Sequence, residues 1–520
     1  TRPPRALVVA GVILVLAVLA IVYFDLSTTV AMNDEYAYFF SVRNLGGRGI
    51  YPAQSALALP QIFLAWLVSA PFAHDSRVIR ASMLLLALPG SWAAYRLARR
   101  LGAGSTWSLI TPAVMLTSPI YFNLAVSFMS DVAYVSLMLL ACNAGVAWLE
   151  GERSQRWFAL WAVLATFQRI FGLALPLGLA AAIVLAHRRG RAVAPSEIGW
   201  LAITLVGSSL SLVVPGLLGA SAAGNVADQL AHFQLAGALT PLVHVPVVLG
   251  YLLLPLVFAV GVSWSLRLGL FAAATGAVVL GLVWLFPWLP GNIWTFVGPA
   301  PTLAGYKPAP VPLAANLLLI ALSPVAFWLL GPVAWGRWTA AARGDSRFVF
   351  LLAVSGIQLL LLVPNTVTFF DRYYLPVAAP LLPMIGALAE RHARPGAAVI
   401  AVAIAALMLV VACVYEQDYE SWQSARDQAA RLAYRCAPPS RVNAGYEANA
   451  TYVAVPAYEA TGVEPVARVS RNSIIFGPPN PDLWLTFAGP EDSRAGVPYS
   501  SAAPGKVAIN GAVCAALTAR

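Results

Sequence analysis

Apolar runs of about 20 residues recur through the first 415 positions, the length an α-helix needs to cross a hydrocarbon core of roughly 30 Å. Inside a bilayer every backbone N–H and C=O must find its partner within the protein, so such runs fold as helices. The composition agrees. Of 520 residues 60% are hydrophobic and 10% charged, whereas soluble domains carry about a quarter charged residues. A β-barrel would show short alternating segments instead. Hydropathy predicts spans near 6–24, 78–98, 105–122, 130–149, 157–170, 172–187, 197–217, 241–263, 268–288, 312–335, 347–364, 373–390 and 396–415. The expectation is an all-α polytopic protein of about thirteen transmembrane helices.

The net charge of +10 does not point to nucleic acid, because the basic residues sit in short clusters between spans. These are Arg96/Arg99/Arg100, Arg153/Arg156, His187–Arg191, Arg337/Arg343/Arg347 and Arg391/His392/Arg394. Clusters of this kind mark cytoplasmic loops and favour the anionic inner leaflet. Alternating the spans from an inside N-terminus puts every cluster on that side. The first span follows Arg2 and Arg5 but is as long as a full membrane helix and lacks a small-residue cleavage site, so it reads as a retained anchor. The expected location is a bacterial inner membrane, with residues 1–415 as the transmembrane domain and 416–520 as an extracytoplasmic α/β domain.

The outer side then receives the loop 25–77, the turn 121–130, segments 218–240 and 289–311, and the tail. In the first loop Asn33 is placed to cap a helix whose first turn carries Asp34 and Glu35 against the positive end of its dipole. Gly46 and Gly47 stop that helix, and Phe39, Phe40, Val42 and Leu45 are expected at the lipid headgroups. Leu57–Phe72, with Pro60, reads as a second helix lying along the surface. In the tail, Cys436 and Cys514 lie on the oxidising side and are expected to pair; Cys142 and Cys413 fall in spans as core residues.

Ionisable groups near membrane depth are costly and usually face the bundle interior. Asp34 is the candidate general base, taking the proton of an acceptor hydroxyl; the alternative is a carboxylate that merely complements the dipole. Glu35 points about 100° away on the same helix, as an orienting or structural partner of the catalytic pair. Asp131 opens the fourth span after Ser130 and is the second catalytic carboxylate, unless it is a first-turn cap. Arg169, between the fifth and sixth spans, and Arg372, at the outer mouth of a late one, suit a lipid phosphate through bidentate guanidinium geometry. A buried ion pair is the competing reading for both, with Asp371 the obvious partner of Arg372. Lys307 and His232 lie in outer loops able to cover a site, Lys307 as a further phosphate ligand. Tyr36, Tyr38, His232, Asp371 and Tyr373 are the candidates for lining the substrates.

No phosphate-cradling glycine loop, dinucleotide fingerprint or zinc spacing occurs. An enzyme acting outside the cytoplasm has no nucleotide pool, so its activated substrate must arrive on a lipid.

Together these motifs resemble the GT-C superfamily of membrane glycosyltransferases, in the bacterial branch related to protein O-mannosyltransferases and lipid A aminoarabinose transferases. The residues carrying the resemblance are Asp34-Glu35 with Tyr36 and Tyr38, Ser130-Asp131, Arg169, and Arg372-Tyr373 through Pro376, followed by Pro380 and Pro383. The resemblance implies a hexosyl- or pentosyltransferase using a polyprenyl-phosphate-linked donor, inversion at the anomeric carbon, and a base at Asp34. Basic residues would hold the departing lipid phosphate. The implied partners are the bilayer and a glycan, lipid or protein acceptor. No cofactor follows from the residues; a divalent metal ion is open, since related oligosaccharyltransferases use one. A lipid-linked sugar flippase and an envelope-assembly scaffold are the rivals. Charges gathered at one surface and the lack of matched halves disfavour the flippase.

Overall fold

The computed structural model describes residues 5–27, 32, 34–51, 57–214, 235–257, 293–299, 305–362, 370–393, 395–461, 481–488, 494, 496–499 and 504–511, with a few isolated positions between 274 and 281. Long apolar helices dominate. The first, α1 (Arg5–Ser27), stands at the edge with Val8, Val12, Val15 and Leu19 facing outward. After the first loop come α2 (Glu35–Asn44), α3 (Leu59–Ser69), α4 (Ser76–Ala81) and α5 (Leu84–Arg100). Next, α6 (Ser105–Thr117) and α7 (Pro119–Ala125) form a pair bent by 67°. The bend falls at Ser118–Pro119, where proline cannot donate to the preceding turn.

The bundle continues with α8 (Ser130–Leu149), α9 (Gln155–Gln168), α10 (Ala174–Arg188), α11 (Pro195–Ser209), α12 (Leu235–Val257), α13 (Pro310–Gly344), α14 (Ser346–Leu362), α15 (Leu375–His392) and α16 (Ala397–Ala433). Among the described residues seven helices are long and apolar enough to span a membrane, or eight with the bent pair as one. The chain is a multi-pass membrane protein. The expected span 268–288 lies almost entirely outside the described residues, so the structure does not supply the count of thirteen.

α8 and α15 run through the middle and are buried along nearly their full length. Gly90 of α5 meets α8 so closely that a Cβ there would lie 2.4 Å from the Ser136 hydroxyl. From Asp131 to Glu150, α8 rises about 28 Å, the thickness of a hydrocarbon core. At its Glu150 end the loop charges interlock. Arg100 bonds Glu150 and Glu152, Arg347 bonds Glu150 at 2.8 Å and Asp345 at 2.6 Å, and Glu390 accepts the Gly104 N–H at 2.9 Å.

The first loop corrects two expectations. Position 33 lies outside the described residues, and the residue at the N-cap of α2 is Asp34, whose side chain makes no capping bond. Phe39, Phe40 and Val42 are buried in protein rather than set among headgroups. Phe40 packs on Tyr51 and on Tyr458 of the tail, while Phe39 stacks on Phe128, so α2 is enclosed on both sides. In α3, Pro60 takes the first turn, where its missing N–H costs nothing. Ile62 and Ala65 are buried there while Phe63 and Leu67 are exposed, a one-sided helix as expected for a surface position.

α16 is 37 residues long, about 55 Å at the α-helical rise, and so runs well beyond one membrane thickness. It crosses the expected boundary at 415/416 unbroken. A four-stranded sheet rests on it, in the order β3 (Val442–Asn443), β4 (Leu483–Ala488), β6 (Gly505–Asn510), β5 (Gly496–Tyr499), parallel between β3 and β4 and antiparallel elsewhere. Trp422 of α16 meets Phe487 of β4 at 5.2 Å between ring centroids. Two short helices, α17 (Tyr446–Asn449) and α18 (Val455–Thr461), complete the tail. Cys436 is disulfide-bonded and Cys142 and Cys413 are free; Cys514, the partner expected for Cys436, lies outside the described residues.

The α5–α8 contact tolerates no added volume. Gly90→Val should destabilise the bundle by about 1–3 kcal/mol, read as a lower thermal midpoint in detergent, while Gly199→Val, where nothing lies within 4 Å, should not.

Candidate active site

At the opposite end from the Glu150 cluster, four ionised side chains from four distant stretches form a row of alternating charge. Asp34 begins it at the N-terminus of α2. Its Oδ2 lies 3.4 Å from Nη2 of Arg372. Arg372 follows the extended Phe370 in a 3-10 turn over Asp371–Tyr374 that leads into α15, and its Nε is 3.9 Å from Asp131 Oδ2. The same Asp131 oxygen accepts from Arg169 Nη2 at 2.9 Å. Arg169 is extended where α9 ends, just before a 3-10 turn over Ile170–Leu173.

Aromatic rings and hydroxyls hold the row in place. The Arg372 guanidinium sits 4.4 Å from the Phe370 ring centre, and both arginines lie 5.6 Å from the ring of Tyr373. Ser130 Oγ accepts from Arg169 Nε at 3.0 Å and Nη2 at 2.8 Å, and from Tyr38 Oη at 3.3 Å. Gln168 donates to Ser130 O at 3.1 Å and to Gln61 at 2.7 Å, tying the α9 turn to α8 and α3. Arg372, Asp131 and Arg169 are almost wholly buried, whereas Asp34 keeps 19% of its side-chain surface open. Asp131 Oδ1 and Arg372 Nε have no hydrogen-bond partner. Buried polar atoms without partners are uncommon, and here two belong to neighbouring members of the row, Arg372 and Asp131.

The structure separates the neighbouring carboxylates. Glu35 is fully buried, with Arg80 of α4 donating to it from Nε at 2.9 Å and Nη2 at 2.7 Å. It also accepts the N–H groups of Met32 and Phe128. With no exposed surface and every bond directed into the scaffold, Glu35 does not fit the catalytic place expected for it. It instead pins the first loop to α4 and to the turn before α8. Asp371 is a second correction. Its carboxylate makes no ion pair with the Arg372 guanidinium; it accepts the backbone N–H groups of Ile293, Trp294 and Arg372. Its task is to hold the short hairpin of β1 (Trp294–Thr295) and β2 (Gly298–Pro299) against the bundle. Asp131 is no cap either, since Met129 takes the N-cap position.

Lys307 is exposed, and no described contact joins it to the row; its neighbour Tyr306 donates to Asp418 of α16. His232 lies outside the described residues. Tyr36 is buried beside Asp34, with its hydroxyl 3.2 Å from that of Tyr446. Tyr446 itself donates to Asp34 Oδ1 at 2.7 Å. No sequence signal marks it, because it stands 412 residues from its partner. Among the described residues no group of three or more His, Cys, Asp or Glu side chains is placed to hold a metal ion. A guanidinium lies between Asp34 and Asp131, so the two carboxylates do not fit a shared divalent ion.

Two acids and two guanidiniums from four distant stretches thus meet at one end of the helical bundle, with one carboxylate open. Residues 59–218 match the family model described as dolichyl-phosphate-mannose-protein mannosyltransferase. That stretch contains Asp131 and Arg169 and supports the resemblance to the GT-C membrane glycosyltransferases. Two crystal structures of ArnT from Cupriavidus metallidurans also align with the chain. The apo state shows 15% identity, covers 96% of this chain and 97% of that one, and has a TM-score of 0.42. The state bound to undecaprenyl phosphate shows 14% identity, covers 97% and 98%, and has a TM-score of 0.43. No curated protein matches the chain.

The buried Glu35–Arg80 pair gives a direct test. Arg80→Leu leaves an uncompensated buried carboxylate and should cost about 3–5 kcal/mol, read by thermal unfolding in detergent. Replacing both partners, Glu35→Leu with Arg80→Met, should recover only part of that stability, because the Met32 and Phe128 N–H groups lose their acceptor.

Proposed function

We propose that the chain is an integral-membrane glycosyltransferase that moves a monosaccharide, hexose or pentose, from a polyprenyl-phosphate carrier to a hydroxyl on an extracytoplasmic glycan, lipid or protein. The observation that carries this reading is the alternating row itself. It sets one open carboxylate beside the Arg372 guanidinium, with Arg169 joined behind it through Asp131, as the transfer requires.

In the proposed step the acceptor hydroxyl loses its proton to Asp34 as its oxygen bonds to the anomeric carbon. The bond from that carbon to the phosphate oxygen breaks on the opposite face, so the configuration inverts. The phosphodiester of the donor gains one negative charge as it leaves as polyprenyl phosphate. Asp34 loses one negative charge on taking the proton, which releases Arg372 from its partner when the phosphate needs it. Arg169 and Arg372 then stabilise the departing group from fixed positions. Asp131 keeps both guanidiniums in place between turnovers, and their burial strengthens each interaction by excluding water. Most of the acceleration in such a site comes from positioning.

The same reading places the Asp34 end of the bundle outside the cytoplasm of a bacterial inner membrane, with the Glu150 end and the N-terminus inside. It makes residues 416–520 an extracytoplasmic domain. The basic clusters gathered at the Glu150 end support that orientation.

Purified full-length protein, mixed with polyprenyl-phosphate-linked hexoses and pentoses and an envelope extract, should transfer sugar as detected by mass spectrometry. Asp34→Asn should lower the rate by about 10²–10⁴-fold with folding intact, and full activity in that variant would remove Asp34 as the base. Arg372→Gln should lose activity at all donor concentrations, because it removes charge that is needed as the phosphate departs.

A further inference from the structure

The helical bundle supplies the row of charges, but a close partner of its open carboxylate comes from the tail. Tyr446 Oη donates to Asp34 Oδ1 at 2.7 Å, shorter than the 3.4 Å between Asp34 Oδ2 and Arg372. A phenol has one hydrogen, and Tyr446 spends it on Asp34. The 3.2 Å contact between the two tyrosine hydroxyls therefore runs from Tyr36 to Tyr446. The result is a relay of Tyr36, Tyr446 and Asp34 in which each donation strengthens the next. Burial, and next the charge of Asp34, push the Tyr446 phenol well above its usual range, which favours its role as a donor.

Tyr446 is held there by contacts built for the purpose. Gly445, at φ +87°, turns the chain from β3 into α17, a conformation costly to any residue with a side chain. The next residue, Glu447, accepts from Arg426 of α16 at 2.5 Å in a fully buried ion pair and from Gln423 at 3.3 Å. Asn449 closes the turn by accepting the Ala444 N–H. The Tyr446 ring packs edge-on against Tyr36 with centroids 5.9 Å apart. A small apolar cluster of Tyr36, Ala37, Phe40, Tyr51, Ala450 and Ala454, separate from the main core, seals α2 against the tail.

We infer that Tyr446 is a positioning residue of this site, whose hydroxyl orients Asp34 and stabilises its charged form, so that the C-terminal segment completes an active site begun by the bundle. The inference rests on Asp34 being the base. Oδ1 is fixed by the phenol, and Oδ2, with the longer contact, is the oxygen turned to an acceptor hydroxyl. The groups facing this carboxylate include Arg372, with Asp131 and Arg169 behind it, and Tyr446 from the tail, whose hydroxyl meets that of Tyr36. Glu35 is neutralised on the far side by Arg80. Of these, Tyr446 acts on Asp34 without carrying a charge of its own.

A hydrogen bond given to the ionised form lowers a carboxyl pKa, so removing it raises the pKa. The full-length protein in detergent is labelled with a carbodiimide and glycinamide, which react with protonated carboxyls, across a pH series. Modification of Asp34 is measured by mass spectrometry against exposed Glu152. In Tyr446→Phe the labelling midpoint of Asp34 should move up by about one pH unit. Fluorinating the ring of Tyr446, which makes the phenol a stronger donor, should move it down. An unmoved midpoint in either folded protein overturns the inference, and the fluorinated protein decides alone if Tyr446→Phe does not fold. Labelling needs no turnover, so the two readings fail separately. An active Asp34→Asn sinks the base, whereas an inactive Asp34→Asn with an unmoved midpoint sinks only the role of Tyr446.

Discussion

Four charges set side by side inside a membrane protein persist only by neutralising one another. A lone ionised group at this depth costs several kcal/mol, and each member of the row Asp34, Arg372, Asp131 and Arg169 is tolerable because its neighbours carry the opposite sign. That constraint draws together the N-terminus of α2, the start of α8, the turn after α9 and the turn before α15. Satisfaction is incomplete at two places: Asp34 is partly open, and the buried Arg372 Nε and Asp131 Oδ1 have no hydrogen-bond partner. The groups that hold the bundle together at this end are therefore the groups left to meet a charged substrate.

Two adjacent carboxylates in the sequence perform opposite tasks because a helix turns about 100° per residue. Glu35 is directed inward to Arg80 and two backbone N–H groups, where its charge fastens the first loop. Asp34 is directed along the outer end to Arg372 and Tyr446. Asp371 and Arg372 divide the same way: one satisfies the N–H groups of a hairpin and the other joins the row.

The tail is joined to this chemistry rather than appended to it. α16 runs without a break from bundle to sheet, and its outer turns carry Trp422 for the sheet and Arg426 for α17. The ion pair Arg426–Glu447 then sets Tyr446 over Asp34. A charge buried in the tail thus determines the surroundings of a carboxylate more than 400 positions away.

The sequence by itself determined the class of fold and most of the row. Apolar runs can only become helices in a bilayer, and that logic placed the starts and ends of α8, α9 and α15 within a few residues. Asp34, Asp131, Arg169 and Arg372 stood out because ionisable groups are rare in such runs. Tertiary structure decided which partner each charge takes. From sequence, Glu35 reads as a companion of Asp34, Asp371 as the partner of Arg372, and Phe39 and Phe40 as lipid-facing. All four were settled by groups distant in the chain: Arg80, the hairpin at Trp294, Phe128, and the ring of Tyr458. Tyr446 was invisible for the same reason. Hydropathy and helical period report on neighbours along the chain, whereas a hydrogen bond 412 residues long exists only once two segments have packed.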